Sequence, residues 1–399
     1  ESSPRNFDRA TLVLTSAKRG AANAVHFWIV YKLIVSVYAI VLAAGEGTRM
    51  QSTRPKPLHM MCGRPMVIHV IHALKDLQVN KTVIVVGHAA KQVTEVVAQQ
   101  SPPWAHTAFV EQKVQRGTGD ATIVGLQAID SEVGAASEMS DTSTVIEMPG
   151  DTPLLKASTI LALVNEHQNS KNSATVLTAF VEEPTGYGRI VRAKDDRILK
   201  IVEERDASPE IRSINEINTG IYAFRRDLLG PALRRISNKN SQSEYYLTDA
   251  LEVLANMGHQ VGSHTAPSNE VSGVNDRWQL ALAERELRNR TNQAWLMSGV
   301  TMFDPRQTFI DVTVTIGKDV TLLPGTILQG DTKIGDNCEI GPNTRLIHTT
   351  VGAGSRVENT VAQESIIGKK AKVGPFANLT PGTKVADGAI TGSFYDGSR

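Results

Sequence analysis

An apolar run in this chain ends in the glycine-rich turn LAAGEGTRM (Leu42–Met50), and PKPL (Pro55–Leu58) follows it. Glycines let the backbone come close to an anion, and the N–H groups of the next turn can bind that anion. Arg49 and Lys56 add two positive side chains. The segment therefore predicts a strand that leads into a polyphosphate-binding turn. The dinucleotide motif G-x-G-x-x-G is excluded because Met50 stands at its last glycine, and a Gly-Lys-Ser/Thr P-loop is absent.

Length and composition indicate a globular protein with two or three domains. The chain has 399 residues, of which 41% are hydrophobic and 21% are charged. Its net charge is only +1, so no overall field attracts nucleic acid or anionic lipid, and we expect neither as a partner. The two cysteines, Cys62 and Cys338, are far apart in sequence, which argues against a disulfide framework and favours a reducing, cytoplasmic location.

The segment before the glycine turn is unusually apolar. Residues 25–42 are long enough to resemble a membrane span, but Lys32 interrupts them and their last quarter is needed as the strand before Gly45. Cleavage of a signal sequence near Gly45 would remove that strand. We therefore interpret residues 1–38 as an N-terminal extension of uncertain structure, and we expect no membrane attachment.

Residues 39–275 alternate short apolar strands with helical segments, a pattern typical of an α/β fold with a mainly parallel sheet. In such sheets ligands bind at the carboxyl ends of the strands, which is where Gly45 stands. Helical spacing of apolar residues predicts a helix at 65–74. The strand candidates are Ala39–Ala44, Lys81–Val86, Thr107–Val110, Thr144–Met148, Ala174–Phe180 and Gly220–Phe224.

A six-residue spacing of aliphatic residues marks the C-terminal part of the chain. This period is the repeat of a left-handed parallel β-helix, in which each coil takes three hexapeptides and the aliphatic side chain points inward. We predict this β-helix over residues 306–399, joined to the first domain by a linker helix within 276–305. The residues six apart are Ile316, Leu322, Leu328, Ile334, Ile340 and Leu346, and then Val361, Ile367, Val373, Leu379 and Val385.

Further motifs follow the first turn in a fixed order. They are EQ (Glu111–Gln112), RGTGDA (Arg116–Ala121), PGDTPL (Pro149–Leu154), TGYGRI (Thr185–Ile190), VEE (Val202–Glu204), EINTGI (Glu216–Ile221) and VSGVN (Val271–Asn275). Together they resemble the bifunctional bacterial family of N-acetylglucosamine-1-phosphate uridylyltransferases and glucosamine-1-phosphate acetyltransferases, over residues 39–392. The resemblance implies a Rossmann-like nucleotidylyltransferase domain, a role in UDP-N-acetylglucosamine and cell-wall synthesis, and a homotrimer assembled through the β-helix.

The resemblance also implies the chemistry and the residues that carry it. N-acetylglucosamine-1-phosphate would attack the α-phosphorus of UTP and release pyrophosphate, and the enzyme must first suppress the repulsion between two anionic reactants. Asp151 and Asn275 would hold Mg²⁺. Arg49 and Lys56 would be the catalytic cations that stabilise the triphosphate and the leaving pyrophosphate. The attacking phosphate is already an anion, so no general base is needed and catalysis depends on alignment and charge.

The implied substrate-binding residues include two groups. One group lines the uracil side, where the Gln112 amide is expected to offer both a donor and an acceptor to the base edge. Its members are Leu42, Ala43, Gly45, Gln112, Gly117 and Thr118. The other group contacts the sugar and its acetamido group, and it consists of Gly188, Glu203 and Asn218. The implied substrate-binding residues also include Ala44, Lys56, Gly150, Asp151 and Asn275.

The acetyltransferase reaction of the family is expected to be absent from this chain. The family's G-P-F-A-R-L-R-P-G element reads GPFANLTPG at residues 374–382, so Asn378 and Thr380 replace arginines that would hold the sugar phosphate. The family's following N-F-V-E-x-K-K element reads SFYDGSR at 393–399, without its lysines. The given sequence also ends before the coils that carry the family's catalytic histidine.

Two alternatives to the uridylyltransferase stay open at this point. One is an enzyme of the same fold that activates another sugar, such as glucose-1-phosphate with UTP, dTTP or ATP, because sugar and nucleotide choice depend on pocket contacts that a sequence shows poorly. The other is a catalytically silent trimeric assembly protein. The joint presence of Arg49, Lys56, Asp151 and Asn275 argues against the silent protein.

Overall fold

The structure is a computed structural model that describes residues 35–133 and 142–396. The N-terminal extension expected at residues 1–38 lies outside the described residues, apart from its last four. Of these, Val37 and Tyr38 are buried and pair with the strand Val79–Val86. The first strand therefore begins two residues before the predicted start at Ala39, because both side chains pack into the core on either face of the sheet.

The first domain is built on one nine-stranded sheet. Its strands are β1 (Val37–Ala43), β2 (Val79–Val86), β3 (Thr107–Glu111), β4 (Thr144–Pro149), β5 (Ala174–Phe180), β6 (Arg189–Arg192), β7 (Ile198–Val202), β8 (Glu216–Arg225) and β9 (Val261–Thr265). Their order in the sheet is β9-β5-β8-β4-β1-β2-β3, with β6 paired to β8 and β7 paired to β6. Neighbours are parallel except in the pairs made by β8 and in the pair β6–β7.

Eight helices accompany the strands in the described part of the chain. They are α1 (Met66–His72), α2 (Ala90–Gln100), α3 (Thr118–Val133), α4 (Ala157–Asn169), α5 (Pro209–Arg212), α6 (Arg226–Leu233), α7 (Thr248–Asn256) and α8 (Arg277–Met297). Alternate side chains of the buried strands face two hydrophobic clusters, one under α1, α2 and α4 and the other under α3, α6 and α7. The α/β fold and the six strand candidates are confirmed. In the described ranges, no helix is long and apolar enough to cross a membrane.

Helix α8 joins the two domains. It begins after Asp276, whose side chain accepts a hydrogen bond from the Gln279 backbone N–H at 2.8 Å. Midway along the helix, Glu284 Oε2 accepts the backbone N–H of Cys62 at 2.8 Å. Near its end, Asn292 donates to the carbonyl of Thr308 at 2.9 Å. The helix therefore contacts both the first domain and the start of the β-helix.

The C-terminal part is a left-handed parallel β-helix made of three five-stranded parallel sheets. Its first strand begins at Thr301, before the boundary placed at 306. The first sheet contains Thr301–Met302, Thr321–Leu322, Glu339–Ile340, Arg356–Val357 and Lys372–Val373. The second contains Phe309–Ile310, Ile327–Gln329, Arg345–Ile347, Val361–Gln363 and Asn378–Leu379. The third contains Thr315–Ile316, Lys333–Ile334, Thr350–Val351, Ile366–Ile367 and Lys384–Val385.

The strict six-residue spacing is wrong at one position. Leu346 is fully buried, but the residue stacked on it is Ala362, and Val361 is 47% exposed. Val351 and Val357 supply the inward side chains between them. The spacing is five residues at Leu346–Val351, Val357–Ala362 and Ala362–Ile367, so three corners of the coil are each one residue shorter than the repeat predicts.

Candidate active site

The carboxyl ends of β1, β3 and β4 and the first half of β8 open onto one cavity of about 580 Å³. Every residue that the sequence predicted for catalysis, metal binding or substrate binding lines this cavity, and their individual roles stay predictions. These residues are Leu42, Ala43, Ala44, Gly45, Arg49, Lys56, Gln112, Gly117, Thr118, Gly150, Asp151, Gly188, Glu203, Asn218 and Asn275.

The turn after β1 brings the two cations into the cavity. Gly47 has a φ of 64°, in the left-handed region that favours glycine. A Cβ at this position would lie 2.5 Å from Lys56 Cβ, so the missing side chain leaves the space in which Lys56 packs. Arg49 follows in the short 3₁₀ helix Thr48–Met50. The glycine therefore leaves room for Lys56 beside the turn that carries Arg49.

Four polar side chains converge at one end of the cavity. Lys56 Nζ lies 2.5 Å from Asp151 Oδ2 and 3.0 Å from Asn275 Oδ1. Arg49 Nη2 donates to the same Asn275 oxygen at 3.0 Å. The backbone holds the group together, since the N–H of Val274 donates to the Asp151 carbonyl at 2.8 Å. The loop that carries Asn275 is thus fixed to the end of β4.

This cluster fits a magnesium ion. Asp151 and Asn275 each direct a side-chain oxygen at one cation, the ammonium group of Lys56. Carboxylate and amide oxygens are the ligands that Mg²⁺ takes in proteins, usually only one or two of them together with substrate phosphates and water. The donor set is therefore compatible with the expected ion.

On the base side of the cavity, the hydrogen bonds of Gln112 differ from the expectation that its amide offers both a donor and an acceptor. Its Nε2 donates to Asp120 Oδ2 at 2.8 Å and to the Gly117 carbonyl at 3.2 Å. Both neighbours can only accept, which fixes the orientation of the amide. Gln112 therefore presents its oxygen to a ligand, and the expected donor is already bound within the protein. Gln115 supports this side, because its Nε2 donates to the Ala44 carbonyl at 2.6 Å.

On the sugar side, Asn218 is left with hydrogen-bond donors to offer, whereas Gln112 is left with an acceptor on the base side. Asn218 Oδ1 accepts hydrogen bonds from the Tyr222 hydroxyl at 3.0 Å and from the Gly220 backbone N–H at 3.1 Å. Its amide N–H groups are therefore the atoms it can offer to a ligand. Glu203 supplies an acceptor nearby, and burial is the main reason that its pKa is raised. Thr248 donates to Glu203 Oε1 at 3.4 Å.

Several residues that line the cavity are not among the site residues that the sequence predicts. Tyr187 lies within the TGYGRI motif and Gln115 directly precedes the RGTGDA motif, so these motifs point to both positions. Tyr222 and Thr248 gave no signal. Tyr222 reaches the cavity because β8 runs beside β4, and Thr248 reaches it because α7 packs against β7.

Two family models and several known proteins match the sequence of this chain. Residues 39–241 match the family model of the MobA-like NTP transferase domain, and residues 313–348 match the model of the bacterial transferase hexapeptide, six repeats. Bifunctional protein GlmU of Streptomyces avermitilis is 46% identical over 359 residues, which are 90% of this chain and 72% of the relative. The proteins of the same name from Caldanaerobacter subterraneus subsp. tengcongensis and Geobacillus sp. (strain WCH70) are 42% and 41% identical, over 86% and 91% of this chain and 72% and 76% of their own lengths.

The Rossmann-like sheet, the cationic turn and the β-helix define a nucleotidyltransferase joined to a hexapeptide-repeat domain. It acts on a sugar phosphate. More particularly, the chain belongs to the bifunctional GlmU family. The resemblance drawn from the motifs is confirmed, and the alternative of a catalytically silent assembly protein is set aside.

Proposed function

We propose that the enzyme transfers uridylate from UTP to N-acetylglucosamine-1-phosphate with the help of Mg²⁺. A phosphate oxygen of the sugar attacks the α-phosphorus, the bond to the β-phosphate breaks, and UDP-N-acetylglucosamine and pyrophosphate are formed. The observation that carries this proposal is the convergence of Lys56, Arg49, Asp151 and Asn275 on one point of the cavity. The same proposal includes a homotrimer formed through the β-helix and a cytoplasmic location.

The base side supports a uracil nucleotide. The N3 atom of uracil carries a hydrogen and can donate to the Gln112 oxygen, whereas N3 of cytosine is itself an acceptor. Because the free atom of the Gln112 amide is an acceptor, a second acceptor placed opposite it would be buried without a hydrogen bond. The bond from Gln112 to Asp120 thus favours UTP over CTP.

The sugar side supports an acetamido group. Such a group has a carbonyl that accepts and an N–H that donates. The amide hydrogens of Asn218 can bind the carbonyl, and the Glu203 carboxyl group can accept from the N–H or from a hydroxyl. The ammonium group of glucosamine-1-phosphate has no acceptor to offer Asn218. The arrangement therefore favours the N-acetylated sugar.

Catalysis in this site depends on charge and alignment. Lys56 and Arg49 neutralise the triphosphate and stabilise the negative charge that builds up on the pyrophosphate. Asp151 and Asn275 would hold Mg²⁺, which supplies further neutralisation of the phosphates when bound. Gly150 and Gly45 line the cavity, and without side chains they leave room for the phosphates to approach the backbone.

Product analysis tests this proposal. The protein is incubated with MgCl₂, N-acetylglucosamine-1-phosphate and either UTP, CTP, dTTP or ATP, and the nucleotide sugars are identified by mass spectrometry. We expect UDP-N-acetylglucosamine as the main product. A product formed mainly from another nucleotide, or none at all, would contradict the proposal.

A further inference from the structure

One carboxyl group in the cavity has no role in the mechanism above. Glu147 lies on β4 and lines the cavity, yet its side chain is only 2% exposed. Its Oε2 atom has no hydrogen-bond partner within residues 35–133 and 142–396. A polar atom buried without a partner is costly, and native proteins rarely leave one so. An apolar side chain would serve the fold better at this position, which points to a ligand as the missing partner.

The neighbours of Glu147 place it on the sugar side. On the antiparallel strand β8, Tyr222 stands directly opposite Glu147. Such pairs share one face of the sheet, with Cβ atoms about 4.5–5.5 Å apart. The Tyr222 hydroxyl donates to Asn218, the residue whose amide faces the sugar. Ile40, on the other side of Glu147, is apolar. Glu147 therefore adds a polar side chain to the part of the cavity that Tyr222 and Asn218 line.

The chemistry of a buried carboxyl group suits a hydroxyl ligand. Burial raises the pKa of Glu147 well above its ordinary value and so favours the neutral form of the group. A neutral carboxyl group has one donor and one or more acceptors, and a sugar hydroxyl has the same. It adds no negative charge to a cavity that must admit two phosphorylated reactants.

Resting on the proposed function, we propose that Glu147 binds a hydroxyl group of the acceptor hexose and so acts as a specificity-determining residue of this enzyme. The ribose of the nucleotide offers the same chemistry. Tyr222 and Asn218 favour the hexose, because both belong to the sugar side.

Steady-state kinetics with each substrate varied in turn test this inference. Glu147→Met removes the hydrogen bond but keeps the length of the side chain, and Glu147→Gln restores a donor and an acceptor. Thr82→Val is the matched control, since Thr82 Oγ1 is also buried without a partner in the described chain but lies outside the cavity. Glu147→Leu serves as a second apolar variant if Glu147→Met does not fold.

We expect Glu147→Met to raise KM for N-acetylglucosamine-1-phosphate about tenfold and to leave KM for UTP within about twofold. Glu147→Gln should stay near wild type, and Thr82→Val should change neither KM. Unchanged KM for the sugar phosphate in the folded apolar variant would overturn the inference. A rise in KM for UTP instead would assign Glu147 to the ribose and overturn the hexose assignment. Wild-type protein that releases no pyrophosphate would refute the proposed function itself, which is a distinct result.

Discussion

Gln112 Nε2 lies 2.8 Å from Asp120 Oδ2, and this bond decides which atom of Gln112 a nucleotide meets. Asp120 is in the first turn of α3, and Arg116 holds its other oxygen at 2.8 Å. The first turn of α3 therefore places the Asp120 carboxylate against the Gln112 amide nitrogen, and the Gln112 oxygen is left for the base. In the proposed function, Asp120 thus takes part in the choice of nucleotide, although it is not among the predicted binding residues.

Replacing Asp120 by Asn should weaken the preference for UTP. An asparagine can donate to Gln112 as well as accept from it, so the Gly117 carbonyl is left as the one obligate acceptor of the two, and the turned-over Gln112 amide, which offers a donor to cytosine, becomes less unfavourable. We expect the ratio of kcat/KM for UTP to that for CTP to fall about tenfold. Asp130→Asn, which removes a carboxylate paired with Arg226 at the surface, is the control and should leave the ratio unchanged. A ratio unchanged in Asp120→Asn would show that Gln112 keeps its orientation without this bond.

Replacing Lys56 by Gln should lower kcat about 10²- to 10³-fold, which is the usual effect of removing one group that stabilises charge in a transition state. Without the ammonium group, less positive charge surrounds the departing pyrophosphate. Initial rates of pyrophosphate release measure the effect. Lys91→Gln, at an exposed position of α2, is the control. A kcat within about threefold of wild type would exclude Lys56 from the chemical step.

Replacing Asp249 by Asn should raise the melting temperature at pH 7.5. Burial, followed by the charges of Glu252 and Asp206, raises the pKa of Asp249 to about 6. In the unfolded chain an Asp has a pKa of about 3.9. Between these values the folded protein binds more protons than the unfolded chain, so stability falls as the pH rises from about 4 to 6.

The difference in melting temperature between Asp249→Asn and wild type should therefore shrink as the pH is lowered from 7.5 to 4. Asp195 provides the control, because Arg197 lowers its pKa and its removal should give no such gain. A difference that does not depend on pH would show that Asp249 titrates normally in the fold.

The sequence predicted those parts of the molecule that follow from local patterns. The hexapeptide period placed most inward residues, and the glycine motifs located a set of residues that the fold brings into one cavity. The period failed at Val361, because the length of a corner is set by how the coils stack and not by the residues of one strand. The strands β6 and β9 lack a strong apolar pattern and owe their existence to pairing within the sheet.

Two features of the site depend on tertiary contacts and could not be predicted. The orientation of the Gln112 amide depends on two acceptors supplied by the turn and helix that follow it. Glu147 lies in the middle of an apolar strand, where a sequence pattern gives no reason to expect a group that faces a ligand. In both cases the atom that can bind a ligand is identified by which hydrogen bonds the folded protein already makes.

The most direct test of the account is pyrophosphate release from UTP in the presence of Mg²⁺, compared for N-acetylglucosamine-1-phosphate, glucosamine-1-phosphate and glucose-1-phosphate, in wild type and in Asp151→Asn. We predict release that strongly favours the N-acetylated sugar in wild type. In the variant we expect a rate lower by about 10²-fold or more, together with a higher Mg²⁺ requirement. Equal release with all three sugars, or full activity of Asp151→Asn, would contradict the account.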